Sequence, residues 1–376
     1  MQPALRNLLI EAAIVLVVMG FLLWFSIPRF LAAQSINTPD NFPDPNFRKV
    51  IEKFMGVEPE GIFSARKAAA KTERLLCIGC FIGSTKGIEF FPNITRFDCS
   101  GNPLNENPDI SRNTALTDFR CRSSQVTALD FSKNTALQIV DCFDNKITSL
   151  DLLNNPALAQ LECEHNQLTR LDLSKNANLI ELHCGENLLE TLDVSACKNL
   201  EILYCQNNRL QKLDVSQNPL LKWFGCSGNP IDRLDLSANV ALQHIGCGSN
   251  RMTTLVLGSQ PVLEGLWCTE SQLESLDVSR CPALRKLYLQ SNRFENIPDL
   301  TNNPVVDTLD IRENRLDLDD IDAIRKLKNR LPAPIYSDII NKVRQPDIES
   351  GFIYSPQQSG DLLLPDAEKA PNQREQ

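Results

Sequence analysis

Only three histidines and four methionines occur among the 376 residues, and basic residues are outnumbered by acidic ones, 38 to 47. The net charge of −9 excludes a nucleic-acid-binding face, because phosphates are met by a surplus of lysine and arginine. No G-x-x-x-x-G-K, G-x-S-x-G or H-E-x-x-H occurs, so the chain has no phosphate loop, no nucleophile elbow and no zincin helix. No cysteine follows Cys281, which excludes a C-terminal cysteine-dependent ligase domain. The one C-x-x-C, Cys77 to Cys80, has no second pair to complete a zinc site. These absences point away from an enzyme and toward a chain with no catalytic residue, no resident metal and no cofactor.

Cysteine itself is abundant, with thirteen residues, and its spacing is regular. Cys77, Cys99, Cys121, Cys142, Cys163, Cys184, Cys205, Cys226, Cys247 and Cys268 follow one another at 22, 22 and then always 21 residues, and Leu289 and Ile311 continue the column. A period of this length marks a coil repeated in space. The repeat reads L-x-x-L-x-C-x-x-N-x-L-x-x-L-D-L-S-x-N, as in Leu158, Leu161, Cys163, Asn166, Leu168, Leu171, Asp172, Leu173, Ser174 and Asn176. The expected fold is therefore a leucine-rich-repeat solenoid of about twelve coils over residues 75–317. Both halves of the repeat share one pattern, which predicts short parallel strands on both faces. The ladder cysteines point inward as small hydrophobes. Cys80, Cys197 and Cys281 stand where the repeat otherwise places asparagine, so all thirteen are solenoid positions and free thiols are expected.

The flanks differ in composition. Residues 8–25 form an apolar run broken by Glu11 and bracketed by Arg6 and Arg29. It is long enough to span a bilayer, so residues 1–33 are expected to be a signal anchor, or a signal peptide cleaved near Leu31-Ala32-Ala33. A type IV pilin N-terminus is a third reading of Leu9–Ala13, but Arg6 stands where that signal requires glycine. Residues 34–45 read as a polar linker and 46–74 as a helical N-terminal cap, with helical patterns around Phe47–Met55 and Ser64–Arg74. After the repeats, Asp319–Leu331 is amphipathic, with Ile321, Ile324, Leu327 and Leu331 on one face. It predicts a capping helix within a C-terminal cap at 318–346. Residues 347–376 are expected to be mostly disordered, with one strand near Gly351–Tyr354.

The segment NLEILYCQNNRLQKLDVSQNP, and Gly83–Leu104 as an entry from cap to repeats, resemble bacterial leucine-rich-repeat proteins, closest to the cysteine-ladder internalins and related secreted proteins with 21-residue repeats. The resemblance covers residues 46–317. It implies a surface or secreted protein that binds proteins or glycans through its concave face, often in adhesion. The tail EKAPNQREQ carries no LPXTG motif, so any anchoring is expected through the N-terminus. The repeats would then be exported to the periplasm or cell surface, or secreted if the segment is cleaved.

Alternation along each strand tells which residues face outward. One outward column holds Trp223, His244, Gly265 and Lys286; the next holds His183, Tyr204, Gly225, Gly246, Trp267 and Tyr288. Both tryptophans outside the apolar run thus fall on one face, among glycines that remove bulk. Tyr204, Trp223, His244, Trp267 and Tyr288 are the expected ligand-binding residues, since exposed aromatics anchor interfaces. The competing reading is that these rings merely cover one another. Asp141, Glu162, Glu164, Glu181 and His183 form a secondary acidic patch that selects basic partners or, less in keeping with the pattern, holds a hard cation. Asp130, Asp151, Asp172, Asp193, Asp214, Asp235, Asp277 and Asp299 line the opposite face and belong to the repeat itself, in a structural role. The expected function is a non-catalytic interaction module of the cell envelope. The alternative is an envelope scaffold that organises a membrane partner of the same cell.

Overall fold

The computed structural model describes residues 35–317 and the backbone of Ile335–Tyr336. The chain forms two compact units, one ending at Leu137 and the other beginning at Gln138.

The first unit opens with helix α1, Pro45–Met55. Asp44 caps it, accepting from the N–H groups of Asn46 and Phe47 at 2.9 and 2.8 Å. Pro45 starts the helix with φ already set, and Gly56 ends it in the left-handed region. Phe47 and Ile51, one turn apart, are its buried residues with Glu52. Helix α2, Ala65–Ala69, is shorter than the Ser64–Arg74 pattern suggested. Residues 35–44, read as a linker, pack into this unit: Phe42 is buried against Phe47, Phe63, Phe90 and Phe91. Gly87 is required here, because its φ is +107° and a Cβ would lie 2.2 Å from the Phe42 ring. Strands β1 (Arg74–Leu76), β2 (Arg96–Asp98) and β3 (Asp118–Arg120) follow, paired in parallel with Leu75, Phe97 and Phe119 in register.

The second unit carries β4 (Ile139–Asp141), β5 (Gln160–Glu162), β6 (Glu181–His183), β7 (Ile202–Tyr204), β8 (Trp223–Gly225), β9 (Arg233–Asp235), β10 (His244–Gly246), β11 (Thr254–Val256), β12 (Gly265–Trp267), β13 (Lys286–Tyr288), β14 (Thr308–Asp310) and β15 (Ile335–Tyr336). All but β9 and β11 form one parallel sheet, each strand about 4.8 Å from the next. The middle residue of each strand and the ladder residue after it point inward. Leu161, Cys163, Leu182, Cys184, Leu203 and Cys205 are wholly buried, as are the leucines of the opposite half-coil, such as Leu168 and Leu189. Each such leucine contributes roughly 1.5–3 kcal/mol by leaving water. All thirteen cysteines are thiols, and all but the half-buried Cys80 are buried.

Two columns of amides tie coil to coil. Asn208 donates to the carbonyl oxygens of Cys184 at 3.0 Å and Cys205 at 3.1 Å, while its Oδ1 accepts from Leu189 N at 2.9 Å. Asn187 and Asn229 repeat this set. In the other column, Asn218 donates to Val194 O and Cys197 O, and Asn239 to Val215 O and Asn218 O. Peptide groups left over by the tight bends thus find buried partners. Two residues past each ladder residue the backbone turns left-handed, at Asp144, His165, Glu186, Asn207, Ser249, Glu270, Ser291 and Glu313, with φ between 50° and 57°.

Three expectations are corrected, and a fourth lies outside the described residues. First, the ladder column passes through twelve strands, and hence eleven complete turns of chain rather than twelve. Second, strands on the opposite face are fewer than the shared pattern suggested. Among the described residues the opposite face carries only β9 and β11, where Thr254 and Val256 are β-branched. In other coils it keeps a single rung, such as Leu188 N to Leu168 O at 2.9 Å and Arg209 N to Leu189 O at 2.8 Å. There the column of aspartates turns the backbone instead: Asp172 accepts from Ser174 N and Asp193 from Ser195 N, both at 2.9 Å.

Third, the expected membrane or signal segment lies outside the described residues, and among the described residues no helix is long and apolar enough to cross a membrane. The eleven residues of α1 reach only about 16 Å, half a bilayer core. Transmembrane anchoring, a membrane partner held through the N-terminus, and the localisation built on them are therefore not retained. Fourth, the C-terminal capping helix and the Gly351–Tyr354 strand also lie outside the described residues. What is described there is β15, pairing with β14 at Leu309↔Ile335 and Asp310↔Tyr336.

Candidate binding face

The outward columns of the second unit's strand face carry the candidate residues. Trp223 and His244 are register partners in one column, and Trp267 and Tyr288 in the next. Sequence position alone would leave these as two separate pairs. They are joined at Gly265. The Trp267 indole folds back across it, so that a Cβ on Gly265 would lie 2.4 Å from the ring and 3.1 Å from His244 Nδ1. One row results: Trp223 to His244 at 4.1 Å between centroids, His244 to Trp267 at 5.9 Å, and Trp267 to Tyr288 at 5.8 Å, stacked within 11°. These separations lie in or near the range of attractive ring pairs. All four side chains are half-buried, while Phe224, Ile245, Leu266 and Leu287 beneath them are fully buried. The core is complete without the rings.

Burial disfavours the charged form of His244. Burial pushes its imidazole below the usual histidine range, Glu264 opposing and Lys286 assisting, and its Nδ1 is buried with no hydrogen-bond partner. Gly225 and Gly246, in register beside Trp223 and His244, leave the adjoining column without side chains between Tyr204 and Trp267.

Tyr204, read as part of the aromatic set, stands apart from the row. Its ring meets His183 edge-on at 5.0 Å and 82°, in the company of the acidic patch. Burial, then Glu164 and Glu181, pushes its hydroxyl up to about 12. The patch itself is smaller than expected. Asp141 is fully buried and accepts from Phe143 N at 3.3 Å. Asp98 and Asp310, in the same column, accept likewise from the N–H two residues on, so Asp141 serves the turn. Glu162 accepts from Gln160 at 2.7 Å. Glu164 is fixed by Gln206 Nε2 at 3.0 Å, and Gln206 lies over Gly185, where a Cβ would meet its amide at 2.7 Å. Glu181 is half-buried and its carboxyl is pushed above the usual range, first by burial and then by Glu162 and Glu201, with His183 opposing. Glu201, which the outward columns had not included, pairs with Lys222 at 2.7 Å. Among the described residues no group of three or more histidine, cysteine, aspartate or glutamate side chains is arranged to hold a metal ion.

No protein-family model matches the chain, and no curated protein does. Solved structures do. The functional domain of InlJ from Listeria monocytogenes, which includes a cysteine ladder, is 25% identical, covering 80% of this chain and 80% of that one with a TM-score of 0.51. The internalin InlF from the same organism is 22% identical over 84% of this chain and 98% of its own, with a TM-score of 0.71. A leucine-rich-repeat protein of Leptospira interrogans is 22% identical, with coverage of 66% and 74% and a TM-score of 0.56. The chain is an internalin-like leucine-rich-repeat solenoid. An internalin-like solenoid of this kind is a non-catalytic module that mediates interactions with proteins or surfaces. Its 21-residue coils set the strand face on which the ring row lies.

Proposed function

We propose that this solenoid binds a protein or glycan ligand through the row Trp223, His244, Trp267 and Tyr288, with Tyr204 at the edge of the acidic patch. The observation that carries the reading is the Trp267 ring lying across Gly265. It makes one row of two pairs, above a core that is already closed. Half-exposed tryptophan and tyrosine supply large, stiff, amphipathic contact area, and they dominate binding energy where they are found. The envelope-scaffold alternative loses the N-terminal anchor as a support, and the ring row suits a binding module in either setting.

The test is a binding screen of the whole chain against glycans and surface proteins, beside a variant with Trp223, Trp267 and Tyr288 changed to alanine. The variant is expected to keep its melting temperature to within a few degrees and to lose affinity by about thirtyfold or more, the scale of a hot spot worth about 2 kcal/mol. A folded variant that binds as well as the parent would mean that the rings only cover one another.

A further inference from the structure

From the chemistry of the acidic end we infer that the ligand of this face is a polypeptide segment bearing a lysine or arginine, whose cationic head sits over Tyr204 and His183 between Glu164 and Glu181. A bulky apolar side chain further along the same segment would lie on the ring row. Only that second contact rests on the ring-row reading.

The strand face of the first unit shows what matched charge looks like in this protein. There Arg96 pairs with Asp98 at 3.0 Å and Asp118 at 3.4 Å, and Arg120 with Asp118 at 2.9 Å. The second unit differs. Glu162, Glu181 and Glu201 stand on three successive coils, and the cation facing them, Lys222, is taken by Glu201. Glu181 has neither a hydrogen bond nor a salt bridge among the described residues, although it is half-buried between two carboxylates of its own sign. His183 is the second observation. It is 9% exposed and lies in register between Glu162 and Tyr204, yet its imidazole makes no hydrogen bond among the described residues. The ring nitrogens of His183 are not sealed from water, so a ligand group can reach them beside the Glu181 carboxylate.

The missing partner is cationic. Two carboxylates and the face of a tyrosine are the surroundings that favour an ammonium or guanidinium group. A metal ion does not fit, since no group of three ligating side chains converges here among the described residues. A neutral sugar would donate hydroxyls to Glu181 but bring no positive charge to it.

The spacing suits a peptide. From His183 on β6 to Trp267 on β12 there are four strand steps, by way of β7, β8 and β10. That is about 19 Å, the reach of about six residues of extended chain. Gly225 and Gly246 carry no side chain of their own on the line from Tyr204 to Trp267, and neighbouring groups cover both.

Fluorescence anisotropy with the full chain tests this. The probes are a labelled seven-residue peptide with lysine at one end and tryptophan at the other, its counterpart with glutamate for lysine, and the neutral sugar chitohexaose. The lysine peptide is expected to bind about tenfold or more tightly than the glutamate peptide. Glu181→Gln should abolish most of that preference, and Glu181→Lys should invert it, both with unchanged melting temperatures. Trp267→Ala should weaken both peptides by a similar factor and leave their ratio alone. Equal binding of the two peptides, no measurable binding of the lysine peptide, or a preference that survives Glu181→Lys would overturn the proposal. So would tighter binding of the sugar than of the lysine peptide. If Trp267→Ala changes neither peptide while the preference persists, the ring-row reading fails and the cation seat stands.

Discussion

Asparagine at the turn before each strand is a side chain whose value can be read from the two positions that hold cysteine instead. Asn218 Nδ2 donates to Val194 O at 3.0 Å and Cys197 O at 2.8 Å, and Asn303 donates to Val278 O and Cys281 O. Where the column holds Cys197 and Cys281 no amide is present, and the corresponding carbonyls of Leu173, Asn176 and Gln260 lose that donor, while Leu257 O is met by Gln260 Nε2 at 2.7 Å. The two thiols are inert fillers, each pushed up to about 11, chiefly by burial. Cys197→Asn is expected to stabilise the protein by up to about 1 kcal/mol, two gained hydrogen bonds being offset in part by a buried Oδ1. Asn218 and Asn239 already carry such an unpaired oxygen. A rise in the urea midpoint at unchanged slope would show the gain; a fall would mean that the unpaired oxygen outweighs both donors. At this scale the sequence was readable wherever the 21-residue column decided the role, as for every ladder cysteine. It was not readable at Asp141, whose identity suggested a surface charge. Its carboxylate is instead drawn down to Phe143 N, a contact set by backbone direction.

The element that matters is a strand of three residues, too short to be stable alone and held by its neighbours' registers. Its outward positions followed from alternation, and that much of the site was legible: Trp223, His244, Trp267 and Tyr288 do share one face. The joining of the two columns was not legible, because it depends on the indole of Trp267 swinging back over Gly265, a rotamer that no period encodes. Nor was the separation of Tyr204 from the row, since Gly225 stands in register beside it and offers no ring to meet. Gly265→Ala tests the arrangement directly. The backbone there is not left-handed, so the substitution strains the Trp267 and His244 rings and not the backbone. Trp267 should be displaced, with a shift in tryptophan emission and a loss of ligand affinity of about tenfold, at a stability cost of about 1–3 kcal/mol typical of overpacking. An unchanged spectrum and affinity would show that the row does not depend on that glycine.

Across the whole molecule the period was the most legible feature and the second face the least. The shared half-repeat pattern pointed to strands on both sides, but hydrophobic alternation reports burial and not whether a ladder forms, and among the described residues the second face forms one only at β9 and β11. Those aspartates also set a pH response. Hydrogen bonds from the serine two residues on hold Asp130, Asp172 and Asp214 below the usual carboxylate range, the backbone N–H acting most and the hydroxyl next. For Asp193, Asp235 and Asp277 the hydroxyl is the larger cause. A depressed carboxylate contributes stability that is complete above its unfolded value, about 4, and is lost as pH falls through its folded one. Melting temperature should therefore be flat on the acid side down to about pH 5 and drop below pH 4. Joint replacement of Asp172, Asp193 and Asp214 by asparagine should make the drop shallower, and an identical drop would remove these side chains from the account. The buried amides carry one more consequence. Asn187, Asn208 and Asn229 all donate toward the preceding coil, to Cys163 O, Cys184 O and Cys205 O, and the N–H groups their Oδ1 atoms receive also come from that coil. The stack therefore has a polarity, as a filament has a barbed and a pointed end. A newly cut leading end would present the side-chain amides, and a newly cut trailing end the backbone carbonyl and N–H groups those amides had met, so a graft that seals one end is the wrong seal for the other.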